Sequence, residues 1–262
     1  MFPRITLAAA TVLLKISIGF ACTCGPNVSV LDEYDRSQVV LIAHLSAIQK
    51  VEQTQKEVYV DDDARSQLVV EKVYKGDVRA RDALVFAQGN GVDCAWRFSD
   101  EMMGQRFLFY LRVPPAGSDW RVSSCGRSKS VKRATEDLLY LDKMDEVRGQ
   151  TRVSGRYAGG FYGGELKVAG RTIRIVGDNG TFETKTDENG IFEIYNLKPG
   201  DYRLEPELSP GLKVDTDWLW MSSAVVRERS SDTAVAFKLE AHKHVSIDLG
   251  FKLASPKTVR PQ

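Results

Sequence analysis

The residues of this chain with the most specific chemistry are Cys22-Thr23-Cys24, followed by Gly25-Pro26. Side chains of an extended segment alternate with period 2, so Cys22 and Cys24 direct both sulfurs to the same side. Only Cys94 and Cys125 are available besides them, so the count is even and two disulfides can use every thiol. If the chain is trimmed before Cys22 and both sulfurs are crosslinked, a free α-amine sits at a rigid, exposed corner.

The remaining candidates are weaker. His242-Lys-His244 on a strand would bring two imidazoles to one face, half of a metal site. No cysteine and no third carboxylate completes the set, so the expectation is a surface pair. His44 lies in an apolar stretch and reads as a satisfied core or edge residue. Asp61-Asp62-Asp63 lacks the glycine and terminal glutamate of a calcium loop and reads as a solvated turn. Gly159-Gly160 through Gly163-Gly164 lacks the Lys-Ser/Thr ending and following helix of a phosphate cradle, and reads as a loop. Trp218-Leu-Trp220-Met221 is either an exposed binding patch or, preferred here, a buried segment under the second half of the chain. No nucleophile elbow, metalloprotease helix motif or P-loop is present, so the chain reads as a non-enzyme that needs no cofactor.

Composition narrows the partners. A net charge of +1 gives nothing to steer the protein to nucleic acid or to an acidic membrane surface. Residues 1–21 read as a secretory signal: Arg4, an apolar run from Ile5 to Leu14, and small Gly19 and Ala21 before Cys22. Lys15 cuts the apolar run short of the ~20 residues of a membrane span. A lipoprotein anchor on Cys22 is the rival fate, but it usually has Leu where this chain has Gly19. Secretion, or export to a periplasm, is expected.

Several elements must hold the corner. Ser29-Val-Leu-Asp32 is a capping-box pattern that starts a helix over Val30 to Arg36. Strands are expected at Gln38 to Ile48, Ser66 to Tyr74, Ala83 to Ala87 and Gln105 to Arg112, all apolar and β-branched or aromatic. Pro114-Pro115-Ala116-Gly117 turns the chain, and Trp120 to Ser123 leads it back to Cys125. A helix capped by Ser128 or Ser130 is expected from about Val131 to Met144, on the 3.6 period of Ala134, Leu138 and Leu141. About five strands with two flanking helices indicate an OB-type β-barrel over 22–147.

Cys22-Thr23-Cys24 at a mature terminus, with Cys94 and Cys125 downstream at similar intervals, resembles the N-terminal netrin-like domain of the tissue inhibitors of metalloproteinases. The strand-rich body and the helix after the last cysteine match as well. The resemblance implies the bridges Cys22–Cys94 and Cys24–Cys125. It also implies that the Cys22 α-amine and carbonyl chelate a target protease's zinc while Thr23 enters the adjoining pocket. Asn27 departs from the proline- and histidine-containing segment of that family, and its six-cysteine second domain is absent.

Residues 148–254 carry no cysteine and must rely on a core. Strands are expected around Val153–Tyr157, Val168–Val176, Gly180–Thr186, Gly190–Ile194 and Asp201–Glu205, then along Val235–Leu239 and Val245–Phe251. Asp187-Glu-Asn189-Gly190 is expected as a hairpin turn and Lys198-Pro199-Gly200 as a second turn. Phe192, Ile194, Leu197, Tyr202 and Leu204 form an inward face. Short strands with frequent turns indicate an antiparallel sandwich. The run from Thr186 to Leu204 resembles the carboxypeptidase-regulatory-like, transthyretin-like sandwich, which implies a fold and no activity. Residues 255–262 are a tail. The resulting expectation is a secreted metalloprotease inhibitor; the alternative is a non-catalytic extracellular or envelope module that binds a protein or glycan.

Overall fold

The computed structural model describes residue 24 and residues 28–49, 64–89, 94–157, 167–217 and 224–254. The expected leader, Cys22, Thr23, the acidic triplet at 61–63, the glycine run at 159–164, residues 218–221 and the tail lie outside them.

The Ser29 hydroxyl oxygen accepts the Asp32 N–H at 3.1 Å and starts α1 (Val30–Arg36). The Asp32 carboxylate accepts the Ser29 hydroxyl at 2.9 Å, so the two side chains support each other across the first turn. The strands β1 (Val39–Gln49), β2 (Arg65–Lys75), β3 (Ala83–Ala87), β4 (Arg106–Leu111) and the two-residue β5 (Lys129–Ser130) form one sheet in the order β3-β2-β1-β4-β5. The chain ahead of β5 folds back on β3. Trp120 N–H donates to Val85 O and Ala87 N–H donates to Trp120 O, both at 2.9 Å, in a parallel bridge. That return covers the β3 edge of the sheet.

Period-2 alternation explains why β1 and β4 read as unbroken apolar runs. Leu41, Leu45, Phe107 and Phe109 point to the interior with Leu68 and Phe86. Val40, Ile42, Leu108 and Tyr110 point outward, beneath α1, α2 (Thr135–Leu141) and α3 (Met144–Val147). Both faces are buried, so neither tolerates a polar residue.

The single helix expected over 131–144 is broken. A 3-10 turn at Val131–Arg133 precedes α2; Ser130 stands at its N-cap without a side-chain cap bond, and Ala134 is the N-cap of α2. The Ser128 hydroxyl oxygen instead accepts the Tyr110 N–H at 2.9 Å. Lys143, at φ −117° and ψ 13°, separates α2 from α3 and turns its ammonium to Glu193 in the second half of the chain. Leu139 is left exposed, while Tyr140, Leu141, Met144 and Val147 reach the outer core.

The second half forms β6 (Arg152–Arg156), β7 (Thr172–Gly177), β8 (Gly180–Lys185), β9 (Ile191–Tyr195), β10 (Gly200–Pro206), β11 (Leu212–Val214), β12 (Val235–Leu239), β13 (His244–Ser246) and β14 (Phe251–Leu253). The sheets β12-β10-β7-β8 and β13-β6-β9 enclose one core that includes Ile175, Phe192, Tyr202, Phe237 and Ile247; β11 and β14 pair separately. The protein is mainly β, with several antiparallel sheets and few helices.

Asn189-Gly190 is not a hairpin turn. β8 pairs with β7 through Gly177↔Gly180, so the hairpin turns at Asp178-Asn179. The chain then crosses from one sheet to the other, because β9 pairs with β6 and its Phe192 must enter the core between the sheets. Asp187 Oδ1 shapes the crossing by accepting the N–H groups of Asn189 and Ile191, each at 2.8 Å. Gly190 has φ +76°, and a Cβ there would lie 2.8 Å from Tyr157 O. The run Val245–Phe251 also serves two sheets: Ile247 N–H donates to Ser154 O at 2.9 Å alongside β6, and Phe251 pairs with β11. Only glycine fits at 155, since a Cβ would fall 1.9 Å from Ile247 O.

Candidate functional site

Cys24 is disulfide-bonded to Cys125, with Cα atoms 5.0 Å apart. Cys94 is also disulfide-bonded. Its implied partner Cys22, with Thr23, lies outside the described residues, as does the α-amine on which chelation depends. The loops that carry the downstream cysteines are tied together: Ser124 donates to Cys94 O from its backbone N–H at 2.7 Å and from its hydroxyl at 2.8 Å.

Two residues beyond Cys125, Arg127 fixes the chain that follows the corner. Its Nη1 donates to Val28 O at 2.8 Å. Its Nε and Nη2 grip Asp137 Oδ1 and Oδ2 at 2.8 and 3.0 Å, and Nη2 also donates to Glu136 Oε2 at 3.0 Å. Lys129 Nζ and the Tyr110 hydroxyl complete the shell of Asp137. Burial alone would raise the Asp137 pKa. The adjacent Arg127 and Lys129 overrule it and hold the carboxyl well below the usual range. Burial and the nearby Asp137 carboxylate push the Tyr110 phenol up.

The same network joins the two halves of the chain. Glu136 Oε1 accepts the hydroxyls of Ser154 at 2.7 Å and Ser246 at 3.0 Å, on β6 and β13. Burial would raise Glu136, yet Arg127 and Arg152 bring it down. Arg152 is fully buried, and its Nε and Nη2 donate to Glu193 Oε2 at 3.2 and 3.0 Å. Glu193 also receives Lys143 Nζ and the Tyr195 hydroxyl.

The histidines do not form the expected surface pair. His242 precedes β13 in a turn at φ +57° and is exposed, with Nδ1 3.3 Å from Gly149 O. His244 is buried, edge-on to the Tyr140 ring at 4.8 Å, with Nε2 3.1 Å from Gln150 O. Burial, then the charge of Arg152, lowers its pKa to about 4. The turn rotates His242 away from the strand alternation, and the inward position of His244 packs the halves together. His44 Nδ1 lies 3.0 Å from Glu71 Oε1 at the partly exposed side of β1. Among the described residues, no three His, Cys, Asp or Glu side chains are placed to hold a metal ion.

Beside the Cys24–Cys125 bridge a cleft of about 870 Å³ opens between the two halves. Trp96, Met102 and Phe107 line its barrel side, and Ser124, Gly126 and Ser128 its cysteine side. Arg156, Ile191 and Asp248 close it from the second half. Burial, then the neighbouring Glu136 carboxylate, raises Asp248 to about 6. None of the charged groups in this network or cleft stands out in the sequence. The one local signal is Arg152-Val-Ser154-Gly-Arg156, where alternation puts Arg152 and Ser154 on the face opposite Val153; that face meets α2 instead of water.

Among the described residues, no helix is long and apolar enough to cross a membrane. No family model and no curated protein matches the chain. Among solved structures, a minor pilin of the Gram-positive pathogen Streptococcus agalactiae is similar over 86% of this chain and 87% of its own, at 13% identity and a TM-score of 0.27.

Proposed function

We propose that the protein is an exported inhibitor of zinc metalloproteases that presents Cys22-Thr23-Cys24 to its target. The observation that carries this reading is the double anchoring of the segment next to that tripeptide. Cys24 is held covalently by Cys125, and Val28 is held by Arg127. A catalytic zinc keeps one coordination position open to water. The Cys22 α-amine and carbonyl displace that water, and Thr23 points into the neighbouring pocket of the protease. An unperturbed α-amine titrates at about 7.7–8.0, so its deprotonation near neutral pH costs little. Anchoring the segment beforehand reduces the ordering entropy lost on binding. The test is a protease assay with chain trimmed to Cys22 against chain acetylated at Cys22 or extended by one residue. The trimmed form inhibits and the blocked forms do not; equal inhibition by a blocked form rules out chelation.

A second reading rests on a different observation, the cleft between the halves. Under it the protein is a non-catalytic extracellular or envelope module. Recovery of metalloproteases on the immobilised trimmed chain supports the first reading. Recovery of glycan or envelope protein alone supports the second.

A further inference from the structure

We propose that the cleft between the barrel and the sandwich binds an acidic oligosaccharide, one whose sugar units carry carboxylates. The proposal does not depend on the N-terminal mechanism, because none of its residues belongs to Cys22-Thr23-Cys24. At about 870 Å³ the cleft lies within the range of about 300–1,000 Å³ usual for small-ligand sites, room enough for several sugar rings.

Trp96 supplies a rigid aromatic wall. Its ring sits 5.9, 5.6 and 5.7 Å from those of Phe98, Phe107 and Phe109, so it is fixed by the barrel core, yet it stays partly exposed. An indole held this way suits the apolar C–H face of a pyranose. Arg133 and Arg156 also line the cleft, are exposed and make no side-chain hydrogen bond with a described residue, although the charge of Arg156 acts on Asp248. Lys129 differs, being committed to Asp137. Guanidinium groups with their N–H donors unused are forks for carboxylates. Asp248 has no hydrogen-bond donor among the described residues; ionised at neutral pH, its carboxylate can accept sugar hydroxyls.

The composition of the site selects among polyanions. Glu136 and Asp137 are buried and paired with Arg127 and Lys129, so the charge met by a ligand is set by Arg133, Arg156 and Asp248, two cations and one anion that suit a sparsely charged chain better than a closely spaced phosphate chain. A peptide bound by strand addition needs an open strand edge. Here β6 is paired on both sides, by β13 and β9, and β5 is two residues long. A ligand recognised by ring faces, hydroxyls and spaced carboxylates fits these walls better than a polypeptide backbone does.

The experiment is titration calorimetry on the full exported chain with hexamers of galacturonate, of alginate uronates and of hyaluronan. A neutral galactose hexamer and an acidic peptide of equal charge serve as comparators. At least one uronate oligomer is expected to bind ten-fold or more tighter than both comparators. The doubly substituted R133A/R156A chain should lose at least ten-fold of that affinity. Both arginines are exposed and make no side-chain hydrogen bond, so this variant should keep its fold, which unchanged near-UV circular dichroism verifies. Trp96→Phe should weaken binding further, and acetylation of Cys22 should leave it unaltered. Absence of binding to all three uronate oligomers overturns the proposal. So does equal affinity for the acidic peptide, or binding that survives R133A/R156A intact.

Discussion

Arg127 and Asp137 form a two-pronged ion pair in which the guanidinium side chain is 8% exposed and the carboxylate 1%. The pair joins the loop after Cys125 to α2, and the remaining Arg127 nitrogen reaches Val28 O. Breaking such a pair from one side leaves an uncompensated buried charge, which costs more than removing both partners. Asp137→Asn should therefore destabilise the protein by about 3–5 kcal/mol. The double variant R127M/D137L should recover a large part of that loss in urea titrations. Equal destabilisation of the single and double variants would contradict this account.

The Cys24–Cys125 bridge closes a loop with a sequence separation of 101 residues. Chain entropy sets its contribution at roughly 4–5 kcal/mol, an upper figure because native strain and residual unfolded structure subtract from it. The C24S/C125S chain should unfold at lower urea and, on the inhibitor reading proposed above, should fail to inhibit a metalloprotease even where it remains folded. Retained inhibition at full strength would separate the bridge from function.

His244 and Asp248 should give opposite pH slopes. His244 drops from 6.5 to about 4 in the fold, so below pH 6.5 the unfolded chain binds the extra proton and stability falls with acid. Asp248 rises from 3.8 to about 6, so between these values the folded chain holds the extra proton and stability falls as pH increases. The two effects offset each other between about pH 4 and 6. Asp248→Asn should make stability climb with pH across that window, and His244→Phe should make it decline. Thermal melts at half-unit pH steps read both slopes; parallel profiles for the two variants would refute the assignment.

Glu136 connects α2 to β6 and β13 through the hydroxyls of Ser154 and Ser246. Glu136→Ala removes the one oxygen that accepts both hydroxyls, and with it one partner of buried Arg127. A loss of about 3 kcal/mol is expected. Calorimetry should resolve two unfolding transitions for this variant against one for the parent. A single shifted transition would mean that the remaining contacts, the Lys143–Glu193 pair among them, suffice to couple the halves.

Much of the strand inventory was legible in the residues because burial on two faces leaves a continuous apolar run, as in Val39–Leu45 and Phe107–Leu111. The Ser29 cap was legible for a similar reason: hydrogen bonding between residues three apart is a local matter. The Asn189-Gly190 turn was legible as a turn but not as a crossing. A positive φ is a local requirement, whereas the choice of sheet depends on where Phe192 finds its core.

By itself, the sequence determined the four cysteines, the mainly β character and the inward faces of the strands, since each follows from residue type and short-range periodicity. The Cys24–Cys125 bridge is the one the resemblance implied, whereas the tertiary structure alone decided that His244 turns inward and that Arg127, Glu136, Arg152 and Glu193 meet in one network. Charged residues look alike in a sequence whether they face water or each other. Long-range packing takes water away from these, and each then needs a partner from a distant part of the chain.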